Sequence, residues 1–307
     1  MKKDNLYIVV GADSEVGGAV VRRLESIGHR VVGTTRRAEN VGPKRVFLNL
    51  EHSDEWRPPP GTTAACLCAG RVRLADCATD PAGTWAVNVE RTTRLIDTLL
   101  QLGIYTLFLS SNQVFDGNVP FVASTSPFSP ISEYGRQKAV VEEHLLAAMS
   151  AGRPAGVLRL SRVLGPATST TSNWARSLLA GEPVSAFSDM VLAPVPISTV
   201  EPAVSSLLED GAEGVFQLSG PSDVAYVEFA RYLATALGAS TALVQENSVA
   251  ISGLPPGSAP RHTTMDSQEL VRRYQISAPD AVATARLIAL GEAASHRSRV
   301  PVKHSLL

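Results

Sequence analysis

A tyrosine and a lysine four residues apart, Tyr134 and Lys138, begin a segment with a helical pattern. Residues i and i+4 lie on one face of a helix, so this spacing places a phenol beside an ammonium group. A nearby cation favours the phenolate and lowers the tyrosine pKa from its ordinary value of about 10, which suits proton exchange near neutral pH. Such pairs are also common on solvated helix faces, so the weight of this one comes from the elements around it.

A glycine-bearing turn follows the first apolar run, Leu6–Val10. Gly11, Ser14 and Gly17 have the spacing Gly-x-x-Ser-x-x-Gly, a helical pattern follows, and residues 30–34 form a second apolar run. A strand, turn, helix and strand of this length are typical of dinucleotide binding. Ser14 replaces the glycine that usually lets the backbone approach the pyrophosphate. Any α/β protein favours glycine after its first strand. The turn alone therefore does not distinguish a dinucleotide-binding site from an ordinary turn of an α/β fold.

Two adjacent arginines, Arg36 and Arg37, follow the second predicted strand. An NAD site usually has an aspartate or glutamate at this point to bind the ribose hydroxyls. Here there is no carboxylate, and guanidinium groups bind phosphate oxygens in bidentate fashion. The pattern favours NADP(H) over NAD(H), while NAD(H) and a simple pair of solvated arginines stay open as alternatives.

Apolar runs that alternate with helical patterns predict an α/β fold, a doubly wound parallel Rossmann sheet. The fourth run ends at Cys68, Ala69 and Gly70, whose small side chains would let a cofactor lie across the strand tips. Ser111 ends the fifth run, and a polar loop then leads to Tyr134. In such a sheet, ligands bind beyond the carboxyl ends of the strands.

The less regular C-terminal part predicts a second unit. We assign residues 1–165 to an NADP(H)-binding Rossmann domain. Residues 166–291 are mainly a smaller, interleaved substrate-binding lobe, some segments of which return to the sheet. Residues 292–307 are basic and lack periodicity, which predicts a mobile tail.

The composition is that of an ordinary globular protein, with 44% apolar and 19% charged residues among 307. The formal net charge of −1 gives no broad attraction to nucleic acid or anionic lipid. No apolar run approaches the roughly 20 residues that span a bilayer, so we expect a cytoplasmic protein without a membrane contact. The three cysteines have no histidine at ligand spacing, which predicts reduced core thiols and no metal site.

With these residues in place, the sequence resembles the extended short-chain dehydrogenase/reductase superfamily, and within it the dTDP-4-dehydrorhamnose reductase branch. The resemblance covers residues 7–289 and rests on several motifs in a fixed order. They are the glycine turn, Asn88-Val89-Glu90-Arg91-Thr92, Ser110-Ser111 with Val114-Phe115-Asp116-Gly117, Tyr134-Gly135-Arg136-Gln137-Lys138, residues 158–161 with Gly165-Pro166, and residues 214–220.

The resemblance implies three catalytic roles. Ser111 matches the residue that hydrogen-bonds the substrate oxygen, Tyr134 the proton donor, and Lys138 the lysine that holds the nicotinamide ribose and lowers the tyrosine pKa. These roles suit hydride addition to a carbonyl, in which negative charge develops on oxygen. The cofactor-binding candidates are Gly11, Ser14, Glu15, Val16, Gly17, Arg36, Arg37, Asn49, Leu50, Cys68, Ala69, Gly70, Tyr134, Lys138 and Ser161.

Two departures from the family pattern bear on function. Related dehydratases have an Asp-Glu pair after the catalytic residue, and rhamnose-type reductases usually have Thr-Asp-Tyr, whereas Asn112 and Gln113 follow Ser111 here. Amides cannot do the acid–base work of carboxylates, so dehydration is disfavoured and the rhamnose substrate is in question. Ser14 is the second departure and would weaken cofactor binding.

The sequence favours an NADPH-dependent reductase of a keto group, on a nucleotide-linked deoxysugar. The alternatives are an epimerase that retains NAD, a catalytically weak nucleotide-binding or regulatory protein of the same fold, and a non-sugar carbonyl substrate. The substrate-binding candidates are Ser111, Asn112, Asn173, Trp174 and Arg261. A core position for Trp174 and a surface charge for Arg261 are equally open. Family analogy predicts a homodimer through helices at 85–102 and 134–149.

Overall fold

The computed structural model of the chain describes residues 5–53, 55–165 and 169–299. Its strands, in chain order, are β1 (Leu6–Val10), β2 (Arg30–Thr35), β3 (Arg45–Phe47), β4 (Thr62–Leu67), β5 (Tyr105–Ser111), β6 (Ala155–Leu160), β7 (Arg162–Leu164), β8 (Val184–Phe187), β9 (Val191–Leu192), β10 (Pro194–Pro196), β11 (Gly214–Leu218), β12 (Val224–Ala225) and β13 (Val244–Asn247). Its α-helices are α1 (Glu15–Ser26), α2 (Leu74–Thr79), α3 (Pro81–Trp85), α4 (Thr92–Gln101), α5 (Glu133–Ser150), α6 (Ser169–Leu179), α7 (Ile197–Asp210), α8 (Tyr226–Ala236), α9 (Gln268–Tyr274) and α10 (Ala281–Arg299).

Seven strands form one parallel sheet in the order β11-β6-β5-β4-β1-β2-β3. The chain leaves β1 towards β2 and β3, and then returns to the other side of β1 to place β4. This reversal opens a crevice beyond the carboxyl ends of the strands, where ligands bind in such folds. The predicted doubly wound Rossmann sheet is confirmed.

Burial on both faces explains why the strands read as continuous apolar runs. All five residues of β1 are buried, as expected for a parallel sheet covered by helices. One face packs on Leu24 of α1 and Leu207 of α7. The other face packs on Leu99 of α4 and Leu145 of α5. The sheet is therefore a rigid base for side chains at its carboxyl edge.

A third apolar cluster contains buried residues only from Leu164 to Ala289. It joins α6, α8 and α10 with β8 and β13, while β11 returns to the central sheet. The cluster is a separate apolar core in the C-terminal part of the chain, and the substrate-binding role of this part stays a prediction. The domain boundary after residue 165 stays a prediction, and Pro166 lies outside the described residues.

Some elements differ from the sequence prediction. The single helix expected after Asp80 is α3, one π-helical turn (Ala86–Arg91) and α4. The short helix α2 was not predicted. Helix α10 continues to Arg299 instead of ending at Leu290, because Ala, Glu and Arg sustain a helix without an apolar stripe. The remaining predicted tail, 300–307, lies outside the described residues.

The described part of the chain contains no helix that is both long and apolar enough to cross a membrane. Among the same residues, no group of three or more His, Cys, Asp or Glu side chains has an arrangement that could hold a metal ion. Cys66 and Cys77 are buried free thiols, and Cys68 is a partly buried one.

Candidate active site

The turn between β1 and α1 is closed by its own serine. The Ser14 hydroxyl donates to the Gly11 carbonyl at 2.8 Å and accepts from the Gly17 N–H at 3.0 Å, so Ser14 is the N-cap of α1. Gly11 has φ +88°, and a Cβ there would lie 2.7 Å from the backbone nitrogen of Ala69. Glycine is therefore required at position 11 by both its conformation and this close approach.

A cavity of about 370 Å³ lies at the carboxyl edge of the sheet. It brings together predicted site residues from separate parts of the chain, and side chains of the C-terminal lobe close its far side. The predicted residues that line it are Ser14, Glu15, Val16, Cys68, Ser111, Asn112, Tyr134, Lys138 and Ser161.

Ser111 ends β5 and lies at the cavity wall. Its hydroxyl accepts from the Gln113 N–H at 3.2 Å and donates to the Asn112 side-chain oxygen at 3.4 Å. Gln113 also accepts a hydrogen bond at 3.0 Å from Ser132, the N-cap of α5. The Gln113 side chain is thus part of the support for α5, while Asn112 stays beside Ser111 in the cavity.

Tyr134 and Lys138 lie on successive turns at the start of α5. Gly135 lets this helix approach β5, because a Cβ at position 135 would collide with the Gln113 carbonyl oxygen. The Lys138 ammonium donates to the Leu109 carbonyl at 2.8 Å and lies 5.8 Å from the centre of the Tyr134 ring. Sequence spacing therefore places both side chains in one cavity, as predicted.

The pKa values of this pair differ from expectation. Burial lowers the pKa of Lys138 to about 8, against the opposing effect of the Glu142 carboxylate. Burial raises the pKa of Tyr134 above its ordinary value, and Cys77 adds to the rise. The predicted lowering of the tyrosine pKa is wrong for this structure, because the burial of the phenol dominates the shift.

A second, open groove of about 670 Å³ lies beside the glycine turn. Arg22, Arg37 and Arg45 line it, together with Asp13, whereas Arg36 does not. Asp13 accepts a hydrogen bond at 2.6 Å from the Thr35 hydroxyl and forms an ion pair with Arg45. The groove is therefore lined by three guanidinium groups and by two carboxylates, those of Asp13 and Glu15, and the contacts of Asp13 hold its carboxylate in a fixed position.

The cavity and the groove meet at the N-terminus of α1, because Ser14 and Glu15 line both. A helix N-terminus is suited to an anion, the groove supplies cations on one side, and the cavity supplies Tyr134 and Lys138 on the other. These residues could hold an extended nicotinamide dinucleotide.

Other predicted residues lie outside the cavity lining. Trp174 meets Tyr226 edge-on at 6.2 Å and packs against the lobe core, and Asn173 accepts from Arg176 on its own helix. Arg261 is exposed, next to the cavity residue Pro260. The remaining cofactor candidates outside the lining are Gly11, Gly17, Arg36, Arg37, Asn49, Leu50, Ala69 and Gly70.

Sequence reasoning missed several side chains at these surfaces. Arg162 lines the cavity one position after Ser161, and Tyr226 and Thr263 line it from the lobe. Arg45 opens β3 and reaches the groove across the sheet edge. The arginines are visible as charges in the sequence, but only the sheet order shows which of them face a site.

Comparison with known proteins decides the family. Residues 7–191 match the profile of the NAD dependent epimerase/dehydratase family. The chain belongs to this family. A probable low-salt glycan biosynthesis reductase of Haloferax volcanii is 28% identical over 282 residues, which cover 88% of this chain and 93% of that protein. The predicted resemblance to extended short-chain dehydrogenases/reductases is confirmed.

Two solved structures have the same fold as this chain. A dTDP-4-dehydrorhamnose reductase from Bacillus anthracis in complex with NADP has a TM-score of 0.79 and 15% identity, over 93% of this chain and 99% of that chain. A UDP-glucose 4-epimerase of Thermus thermophilus in complex with NAD has a TM-score of 0.80 and 21% identity, over 96% and 100%. Family membership and site geometry together support an oxidoreductase site for a nicotinamide cofactor.

Proposed function

We propose that the protein reduces a keto group on a nucleotide-linked deoxysugar and uses NADPH as the hydride source. The observation that carries the proposal is that Ser111, Tyr134 and Lys138 line one cavity, which also reaches the glycine turn at Ser14. The similar proteins, a probable glycan biosynthesis reductase and a dTDP-4-dehydrorhamnose reductase, support this reaction class.

The three side chains have separate tasks in this proposal. The bound cofactor supplies hydride to the carbonyl carbon. Ser111, whose bond to Asn112 is long at 3.4 Å, turns its hydroxyl to the carbonyl oxygen. Tyr134 gives that oxygen its phenolic proton as negative charge develops, and its raised pKa keeps the phenol protonated until then. Lys138 binds the ribose hydroxyls from the base of the cavity.

Simple reduction fits this site better than dehydration. Asn112 and Gln113 supply no carboxylate beside Ser111, and the Gln113 side chain is already bonded to Ser132. A dehydratase needs an acid and a base next to the catalytic hydroxyl. This part of the cavity therefore binds and orients a substrate without moving a second proton.

The groove supports NADPH as the cofactor, and a fluorescence titration with NADPH and NADH tests this assignment. Arg37→Ala removes a cation that lines the groove and is expected to weaken NADPH binding by about tenfold or more, with little change for NADH. Arg36→Ala is the matched control, because Arg36 is the neighbouring arginine and does not line the groove. Equal losses in the two variants, or equal affinity of the wild type for NADPH and NADH, would contradict the assignment.

An NAD-retaining epimerase is the second candidate, and Asp13 favours it. The Asp13 carboxylate lies in the groove, where it could accept a hydrogen bond from a ribose hydroxyl of NAD. Its ion pair with Arg45 also draws one cation away from a phosphate. Purified protein that carries NAD through gel filtration would support the epimerase. A non-catalytic nucleotide-binding protein would bind a dinucleotide but reduce no keto-sugar nucleotide.

The homodimer and the cytoplasmic location remain part of the proposal. Helices α4 and α5 would form the dimer interface, and a hydrogen bond of 2.7 Å between His144 and Asp97 already joins them within one chain. Light scattering that gives the mass of a single chain would rule out the dimer.

A further inference from the structure

Gln137 is a buried amide on α5 between Tyr134 and Lys138, and it is only 1% exposed. Its side-chain nitrogen donates to the Thr84 hydroxyl at 2.9 Å and to the Glu133 carboxylate at 3.1 Å. Its side-chain oxygen accepts from the Asn88 amide at 2.8 Å. Both donors and the acceptor oxygen are satisfied, so the side chain is held in one orientation.

The Asn88 side chain, which Gln137 orients, also binds the backbone of another segment. Its side-chain oxygen accepts from the Arg71 N–H at 2.7 Å, and its nitrogen donates to the Arg71 carbonyl at 2.8 Å. Asn88 itself belongs to the π-helical turn Ala86–Arg91, a distortion that is frequent at functional sites. One residue of the segment after β4 is therefore fixed through both of its backbone polar groups.

The segment fixed in this way forms one wall of the cavity. Cys68 lies before Arg71, Val72 and Leu74 lie after it, and all three line the same cavity as Tyr134 and Lys138 of α5. A displacement of Arg71 would move these residues relative to Tyr134. The chain of contacts from α5 through Gln137 and Asn88 to Arg71 therefore joins two walls of the cavity.

We propose that Gln137 is a positioning residue. Through its hydrogen bond to Asn88, it holds the cavity wall formed by residues 68–74 in a fixed position relative to α5. The inference rests on the proposed function, because it assigns the cofactor and the proton donor to these two walls. Its role is to keep the cofactor at a fixed distance from Tyr134. It does not touch the reacting groups.

The test replaces the amide by an apolar side chain of similar length, Gln137→Met. Hydrogen–deuterium exchange of the 68–74 segment is expected to become about tenfold faster, since Asn88 loses a partner that orients it. NADPH binding is expected to weaken in parallel. Gln217→Met is the matched control. Gln217 is also 1% exposed, donates to the Val122 and Asp266 carbonyls and accepts from Arg159, and these partners lie outside the segment 68–74.

Gln217→Met should lower the melting temperature, but it should not speed exchange at 68–74 more than in the rest of the chain. The variant Asn88→Ala removes the same hydrogen bond from its other end and is also expected to speed exchange there, which keeps the test valid if Gln137→Met folds poorly. In a double-mutant cycle, Gln137→Met is expected to add little to the effect of Asn88→Ala on exchange and on NADPH affinity, because both act through one contact.

Two results would overturn the inference: unchanged exchange at 68–74 in Gln137→Met, or additive effects of the two substitutions. The exchange measurement needs no cofactor. If the wild type binds neither NADPH nor NADH, the proposed function fails, while the link from Gln137 to Arg71 is still tested by exchange alone.

Discussion

Lys138 holds its charge in a buried position, bonded to the Leu109 carbonyl at 2.8 Å. Burial depresses its pKa to about 8, so the ammonium group loses its proton within a range of pH that enzymes tolerate. Tyr134 shows the opposite shift, because burial raises the pKa of an acid that is neutral when protonated. The two shifts separate the roles of the residues, a titratable cation and a phenol that stays protonated.

The pH profile of turnover should therefore fall as the pH rises through about 8, since Lys138 then loses the charge that binds the ribose and supports proton transfer. Lys138→Arg stays charged at this pH and should remove that limb, at a lower overall rate. Stopped-flow measurement of NADPH oxidation between pH 6 and pH 10, at roughly one-unit steps, checks this. If turnover falls in the same way with rising pH in Lys138→Arg, the titration of another group causes the fall.

The lowered pKa of Lys138 makes stability change with pH in the direction opposite to turnover. The unfolded chain keeps this lysine protonated up to its ordinary pKa of about 10.4, while the folded chain releases the proton near 8. Between these values the unfolded state binds more protons, so the contribution of Lys138 to the free energy of unfolding rises with pH. Stability and activity thus respond to this residue in opposite directions.

At the residue scale, the sequence indicated the types of the candidate catalytic side chains but not their surroundings. The order Ser111, Tyr134, Lys138 was enough to place three side chains at one edge of a parallel sheet. The pKa of Tyr134 depends on burial, which spacing cannot show. The sequence does not distinguish Arg36 from Arg37, and only the fold shows that Arg37 lines the groove.

At the scale of elements, the site depends on how closely α5 approaches the end of β5. Gly135 allows this approach, and Ser132 fixes the start of the helix by accepting from the Gly135 N–H at 3.0 Å. Because Tyr134 precedes this glycine and Lys138 follows it by three residues, any displacement of α5 moves both. The helix position is therefore set by a residue that does no chemistry.

Gly135→Ala tests this dependence. Alanine has the higher helix propensity, but its Cβ would meet the Gln113 carbonyl oxygen, so we expect a loss of about 1–3 kcal/mol in stability and a lower turnover number. Gly42→Ala is the control, since a Cβ there would meet nothing within 4 Å. Thermal unfolding and turnover of both variants are compared. A Gly135→Ala variant as stable and active as the wild type would show that α5 can shift without consequence.

The sequence predicted helices and strands correctly where a local sequence signal was strong. It failed where contacts with distant residues accompany the local backbone conformation. Asp80 followed by Pro81 indicated the start of α3, and Asp80 does cap it by accepting from the Gly83 N–H. The π-helical turn after α3 had no such signal, and its buried Asn88 contacts Arg71 and Gln137, which lie 17 and 49 residues away in the sequence. Backbone distortions that depend on a distant partner cannot be read from local sequence.

At the scale of the whole molecule, one buried guanidinium joins distant parts of the chain. Arg159 of β6 donates to Glu142 of α5 at 2.8 Å, to the Ser124 carbonyl at 3.0 Å and to Gln217 of β11 at 3.1 Å. It also lies 4.9 Å from the centre of the Phe115 ring. The loop that precedes α5 is thus bonded to the sheet through a buried guanidinium group.

Removing the charge of Glu142 should therefore be costly. Glu142→Gln leaves Arg159 as a buried cation without its counter-ion, and we expect a loss of about 3–5 kcal/mol in the free energy of unfolding. The adjacent Glu143 is exposed, and Glu143→Gln should change stability by less than about 0.5 kcal/mol. Urea denaturation of both variants measures the difference. Similar midpoints would show that the pair adds no stability.

The order of the central sheet also has a consequence for synthesis of the chain. Strand β6 pairs with β5 on one side and with β11 on the other, and β11 follows more than 50 residues later. As the polypeptide leaves the ribosome, the first six strands can associate while one side of β6 still lacks its neighbour. An unpaired strand edge is prone to join other chains. The nascent protein should therefore be most vulnerable to aggregation, and most dependent on chaperones, in the interval before residue 218 has emerged.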